Sequence, residues 1–159
     1  MTAKSHPDAC LQASGLCCIR GDRLIFDELD FTARAGEIWQ ITGANGAGKT
    51  SLLRLLAGLS PPAAGSLRWC GESLPEARDQ FQADLLFLGH APAVAGFLSA
   101  AENLQHACAL SGQAPRIPVA QALREIGLPP TGDTPAQRLS AGQRQRLALA
   151  RFVASPARL

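Results

Sequence analysis

A chain of 159 residues with a formal net charge of +2 is long enough to bury one core and too weakly basic to suggest a nucleic-acid footprint, so no nucleic acid is expected among its partners. No apolar run reaches the ~18 residues that a membrane-spanning helix needs. Residues 1–7 are polar and hold no apolar signal core, so a cytoplasmic protein is expected, one still free to sit against a membrane.

Five cysteines, Cys10, Cys17, Cys18, Cys70 and Cys108, make an odd set without a C-x-x-C pair and read as reduced thiols. His6, His90 and His106 lack metal-ligand spacing. Residues 1–9 form a loose lead-in. Residues 11–19 are apolar with small side chains and predict a strand, turned at Gly21-Asp22. Leu24, Ile25, Phe26, Leu29, Phe31 and Ala33 predict a second strand, alternating in its later half. Residues 37–42 then read as a third strand.

Residues 43–50 read Gly-Ala-Asn-Gly-Ala-Gly-Lys-Thr and fit G-x-x-x-x-G-K-[ST], the phosphate-binding P-loop. The helix formers of 51–57 follow, so strand, Gly-rich turn and helix stand in the order the motif needs. Gly43, Gly46 and Gly48 let the backbone approach a ligand closely, and the successive N–H groups of Ala44, Asn45, Ala47 and their neighbours make an anion-binding concavity. The helix that starts near Lys49 and Ser51 adds its positive dipole end. Lys49 is expected on the β- and γ-phosphates, and the Thr50 hydroxyl on Mg²⁺.

Gly58 and Pro61-Pro62 stop that helix. A short strand between Gly65 and Gly71, a short helix over 74–82 and a buried strand over 84–88 follow. Beyond residue 90 the pattern turns helical. Ser99 and Glu102 form a capping box for a helix to about Leu110, and residues 119–126 predict another, stopped by Gly127. Residues 132–135 are a loop, and 141–154 a third helix. At its start, Leu139-Ser140-Ala141-Gly142-Gln143 carries a second capping box between Ser140 and Gln143. Taken alone, this is a capped helix with Arg144, Arg146 and Arg151 on a solvated face.

P-loop and pentapeptide together resemble the ATP-binding cassette (ABC) family, whose signature is Leu-Ser-Gly-Gly-Gln; here Ala141 takes the first Gly position. The resemblance runs from about Leu11 to Leu159. It implies an α/β fold: a P-loop NTPase core with an antiparallel β portion and a helical subdomain. It implies one cassette over 1–159, with the β-rich nucleotide core at 10–90 and the helical part at 91–154. In that family two cassettes sandwich two ATP molecules, so a second cassette is an expected partner and Ser140, Gly142 and Gln143 are expected to act in trans. A capped helix N-terminus with spare N–H donors suits an anion, so the capping and binding readings coexist. Stretches such as Trp39-Gln40-Ile41-Thr42, residues 53–59, Leu88-Gly89-His90 and the pentapeptide are similar to the haem-exporter cassettes of cytochrome c maturation. That likeness implies a transport ATPase with integral membrane partner subunits, peripheral on the cytoplasmic face of the bacterial inner membrane, with ATP and Mg²⁺ as ligands. Another exporter, a non-transport ABC protein and a binding-only module are the alternatives.

Three departures stand out. The aromatic residue that stacks on adenine in the family falls near Arg20, which either stacks its guanidinium on the base or lies on the surface. The Gln expected after the 84–88 strand is Ala91, with His90 beside it as a substitute polar contact or a plain loop residue. The strand ending in Asp-Glu, and the later His, have no counterpart within the 159 residues. No catalytic residue is therefore visible. The expectation is a fragment of a longer cassette, truncated before that strand, which binds ATP without owning its hydrolysis.

Overall fold

The computed structural model describes residues 10–89, 93–110, 112, 114–129 and 133–159, in two compact units, Met1–Gln82 and Ala83–Leu159.

The first unit is built on an antiparallel sheet. Its strands β1 (Cys10–Arg20), β2 (Arg23–Arg34), β3 (Ala64–Trp69) and β4 (Glu72–Ser73) lie in the order β2-β1-β3-β4. Leu11 and Ala13 are buried while Gln12 and Ser14 face solvent, the period-2 pattern of a half-covered strand. The covered face packs Leu16, Leu67 and Trp69 with Leu55 and Leu56 of helix α1 (Lys49–Leu56) among the buried residues. Trp69 meets Phe81 edge-on at 5.5 Å, anchoring helix α2 (Arg78–Asp84), which begins later than the predicted 74–82. Gly58 ends α1 at φ 65°: its N–H donates to the Leu55 carbonyl and the Leu59 N–H to the Arg54 carbonyl, both at 2.9 Å, a Schellman closure.

The β1–β2 ladder slips three times, between Ala13 and Leu16, Leu16 and Cys18, and Cys18 and Ile19. At the last slip Cys18 pairs with Phe26 and Ile19 with Leu24, so Ile25 is the extra residue of a bulge. At the first, the Asp30 carboxylate accepts the Gly15 N–H at 2.7 Å and holds the kink.

The predicted strand over 37–42 pairs with no strand among the described residues, and Ile38 is 99% exposed. A strand is completed by a hydrogen-bonded neighbour, and none of β1 to β4 forms a ladder with it. Side chains hold the segment instead. Glu37 Oε2 accepts the Arg34 N–H at 2.9 Å and Trp39 Nε1–H at 3.0 Å, and the Trp39 ring stacks edge-on against Phe31 at 4.7 Å.

In the second unit, α3 (Ala100–Leu110), α4 (Val119–Glu125) and α5 (Ala141–Ala154) pack pairwise around Leu104, Leu123, Leu128, Leu147 and Ala150. Burying each of these leucines contributes about 1.5–3 kcal/mol. Buried Asn103 is the polar tie of this unit. Its Oδ1 accepts the Ala95 N–H at 2.7 Å, and its Nδ2 donates to the carbonyls of Ala95, Leu98 and Ser99. Residues 84–88 are half-buried except for buried Asp84, and no ladder is assigned to them. They are nonetheless bonded: the Leu159 N–H donates to the Asp84 carbonyl at 2.9 Å and the Leu86 N–H to the Leu159 carbonyl at 2.8 Å. That alternation places Leu159 opposite Leu85 in the parallel sense. The Arg158 guanidinium lies 3.8 Å from the Asp84 carboxylate. No helix among the described residues is long and apolar enough to cross a membrane.

Candidate functional site

In the first unit, residues 43–50 form an exposed turn that enters α1. Gly43, Gly46 and Gly48 have φ of 149°, 82° and 92°, a region that only glycine occupies without strain. Gly48 is the N-cap of α1, and a Cβ there would collide with Ile25 Cγ2 and touch Phe26 Cδ1. The bulge at Ile25 explains why two consecutive side chains of β2 press on one atom position: an extra residue sets its neighbour's side chain onto the same side. Ile25 and Phe26 therefore brace the helix start, a role that the plain alternation of the sequence does not reveal.

The Ala47 N–H closes the turn onto the Ala44 carbonyl at 3.2 Å, and the Leu52 N–H bonds the Gly48 carbonyl at 2.8 Å. The N–H groups of Gly46, Gly48, Lys49, Thr50 and Ser51 have no acceptor among the described residues. They are the orphan donors of a helix N-terminus and its approach loop, set for an anion. Half-buried Lys49 folds back over the turn, with Nζ donating to the carbonyls of Gly43 at 2.7 Å and Ala44 at 2.9 Å. Asn45 and Thr50 are exposed, and Ser51 is half-buried on the first turn of α1. A cavity of about 690 Å³ in this unit takes in Gly58, Pro61, Leu67, Leu74 and Phe81 and no residue of the P-loop, so it is separate from the phosphate turn.

Arg20 is exposed at the tip of the β1–β2 hairpin, directly opposite Arg23. The same hairpin reaches the P-loop through Ile25 and Phe26. His90 and Ala91 lie outside the described residues.

The second unit carries the Ser140 turn. Ser140 Oγ accepts the Gln143 N–H at 3.2 Å, and the Ser140 N–H donates to Gln143 Oε1 at 2.8 Å, a complete capping box. Ala141 and Gly142 are exposed just beyond it, and their N–H groups have no acceptor among the described residues. Of the basic residues after the turn, Arg146 is exposed as expected, while Arg144 is half-buried and bonded to the turn. Arg144 Nη1 donates to the Leu139 carbonyl at 2.6 Å, and Arg146 Nη1 to the Gly127 carbonyl at 3.2 Å, closing the C-terminus of α4. For Arg144 the cause is geometric: at the start of a helix a long side chain reaches back over the preceding turn, where bare carbonyls await a donor. The other capping box also forms. Glu102 accepts the Ser99 N–H at 2.8 Å, and that bond, followed by the Ser99 hydroxyl, holds its carboxyl below the usual range. Among the described residues no group of three His, Cys, Asp or Glu could hold a metal ion.

The ABC transporter family profile matches residues 26–159. The cytochrome c biogenesis ATP-binding export protein CcmA of Methylococcus capsulatus is 49% identical over 150 residues, covering 94% of this chain and 72% of that one. The protein of the same name from Pseudomonas putida is 50% identical over 142 residues, covering 89% and 68%. Among solved structures, a putative ABC transporter ATP-binding protein of Pyrococcus furiosus has a TM-score of 0.78 at 21% identity, over 93% of this chain and 72% of that one. An ATP-bound bacterial Atm1-family ABC exporter also gives 0.78, at 24% identity, over 94% and 28%. At these identities the structural matches show the fold alone: an ABC ATPase domain of the α/β P-loop class.

Proposed function

The chain belongs to the ABC transporter family, and from that membership we propose that it is the ATP-binding part of the ATP-hydrolysing subunit of an exporter serving cytochrome c biogenesis. The 49% identity to a relative named for that role is the observation that supports the reading most directly. Haem or a haem-linked intermediate is the proposed cargo. It passes through integral membrane subunits, against which this chain sits peripherally on the cytoplasmic face of the inner membrane. Residues 10–90 serve as the nucleotide core and 91–154 as the helical part.

In this reading ATP lies along the P-loop. The orphan N–H groups of Gly46, Gly48 and Lys49 take phosphate oxygens, and Gly43, Ala44, Asn45 and Ala47 shape the cradle. Lys49 exchanges its two carbonyl partners for the β- and γ-phosphates. Thr50, at the exposed start of α1 with Ser51 beside it, would offer one oxygen to Mg²⁺, a hard cation that takes oxygen donors. Bound Mg²⁺ supplies charge neutralisation on the phosphates. Ser140, Gly142 and Gln143 of a second cassette present their helix N-terminus to the γ-phosphate. Arg20 stacks its guanidinium on the base. Tighter binding of ATP to the closed pair than to the open one drives the membrane subunits.

The test is complementation in a host lacking its own cytochrome c biogenesis ATPase, using the coding region that carries this chain. Covalent haem in c-type cytochromes should return with the wild type and fail with Lys49→Ala at equal protein level. Restoration by Lys49→Ala would sink the proposal.

A further inference from the structure

Two cysteines sixty positions apart are joined through their backbones by the fold. Cys10 opens β1, and Cys70 is the first residue of the two-residue turn between β3 and β4. The ladder pairs Leu11 with Trp69, and the next step is a hydrogen bond from the Cys70 N–H to the Cys10 carbonyl at 2.9 Å. That single backbone bond sets the two residues beside each other at the mouth of the β3–β4 turn, and a disulfide needs Cα atoms about 4.4–6.8 Å apart. Both thiols are free and half-buried, so each is within reach of a small reagent. Cys70 also has an unusual backbone. Its φ is 51° and that of Gly71 is 85°, the positive pair of a type I′ turn, where Asn or Gly is the common first residue. Cys17 and Cys18, in contrast, are buried on β1. Burial, with the Asp27 carboxylate adding to it, pushes the Cys17 thiol up and keeps it unreactive.

We propose that Cys10 and Cys70 form a thiol–disulfide site that reacts with low-molecular-weight disulfides. One thiolate attacks a sulfur of glutathione disulfide and releases one glutathione thiolate, leaving a mixed disulfide. The second thiolate attacks the protein sulfur of that intermediate and releases the other glutathione. Two protein thiols are oxidised to one bridge, one disulfide is reduced to two thiols, and the two protons pass to solvent or to the departing glutathione. The closed bridge ties β1 to the β3–β4 hairpin. Residues 43–50 lie inside the loop it closes, so oxidation restrains the chain segment that carries the phosphate turn.

The experiment treats the chain with glutathione disulfide, blocks remaining thiols, digests without reductant and maps peptides by mass spectrometry. A peptide pair joining Cys10 to Cys70 should appear, with titratable thiols falling from five to three under denaturing conditions. The melting temperature should rise and return on reduction. Cys10→Ser and Cys70→Ser should each abolish the pair, and the wild-type map stands on its own if either variant fails to fold. Five remaining thiols, mixed glutathione adducts alone, or bridges only between other cysteines or between two chains would overturn the proposal.

Discussion

The Lys49 ammonium donates to the Gly43 carbonyl at 2.7 Å, so the first and seventh residues of the phosphate loop are tied together by a charge-assisted hydrogen bond. With Ala44 as its second acceptor, the lysine holds the turn closed. In the proposed function, phosphate takes the place of these two carbonyls. Lys49→Ala is expected to weaken ATP binding by roughly 10- to 100-fold, the range that hydrogen bonds to charged groups span. Titration with a fluorescent ATP analogue measures it; unchanged affinity would remove Lys49 from the site.

Gly48→Ala meets two obstacles, the φ of 92° and the methyl of Ile25. A destabilisation of about 1–3 kcal/mol is expected from the backbone term alone. Ile25→Ala clears the collision but leaves the dihedral untouched. The double variant should therefore recover only part of the loss in urea unfolding. Full recovery would mean that the brace alone, not the backbone, demands glycine.

Ser140 caps α5, and its proposed role against a phosphate in trans is separable from that cap. Ser140→Ala removes the cap and is expected to cost about 1 kcal/mol of stability. Ser140→Asp keeps a good cap but sets a negative charge where the γ-phosphate is proposed to lie. Stability near the wild type with ATP turnover lost is the expected result in the cassette assembled with its membrane subunits. Normal turnover in Ser140→Asp would count against the role in trans.

Glu102 gives a pH signature. Its folded pKa lies below the ordinary carboxylate value, chiefly because it accepts the Ser99 N–H. The stability it contributes is present above about pH 4.3, the unfolded value, and is lost as pH falls through the lower folded one. Glu102→Gln keeps an acceptor without the charge, so its melting temperature should fall less steeply with acid below pH 4. Parallel curves for the two proteins would show that the capping box is not what titrates.

Features set by neighbours in sequence were readable before the fold. Helix α5 starts at Ala141 and ends at Ala154 as its pattern predicts, because the Ser140–Gln143 box is a local contact. The Ser99–Glu102 box and the Gly58 and Gly127 stops follow the same logic. Features set by distant partners were not. Residues 37–42 have strand composition, yet composition cannot supply the neighbour that makes a ladder. The bulge that aims Ile25 at Gly48 depends on pairing register, which alternation along one strand does not encode. Arg144 looked like surface charge because its acceptor, the Leu139 carbonyl, is exposed only by the turn that folding creates. Cys10 and Cys70 share no motif spacing and meet only through the sheet.

The pairing of Leu159 with Asp84 and Leu86 joins the two extremities of the second unit. Contacts of that span close late, since the loop entropy they cost must be offset by structure already formed between them. Helices α3, α4 and α5 are that structure, and α5 delivers Leu159 to its partners only once it has docked. The helical triad is expected to condense first and the bonds between Leu159 and residues Asp84 and Leu86 last, so the Leu86 amide should exchange its hydrogen before those of the helices as the protein is warmed.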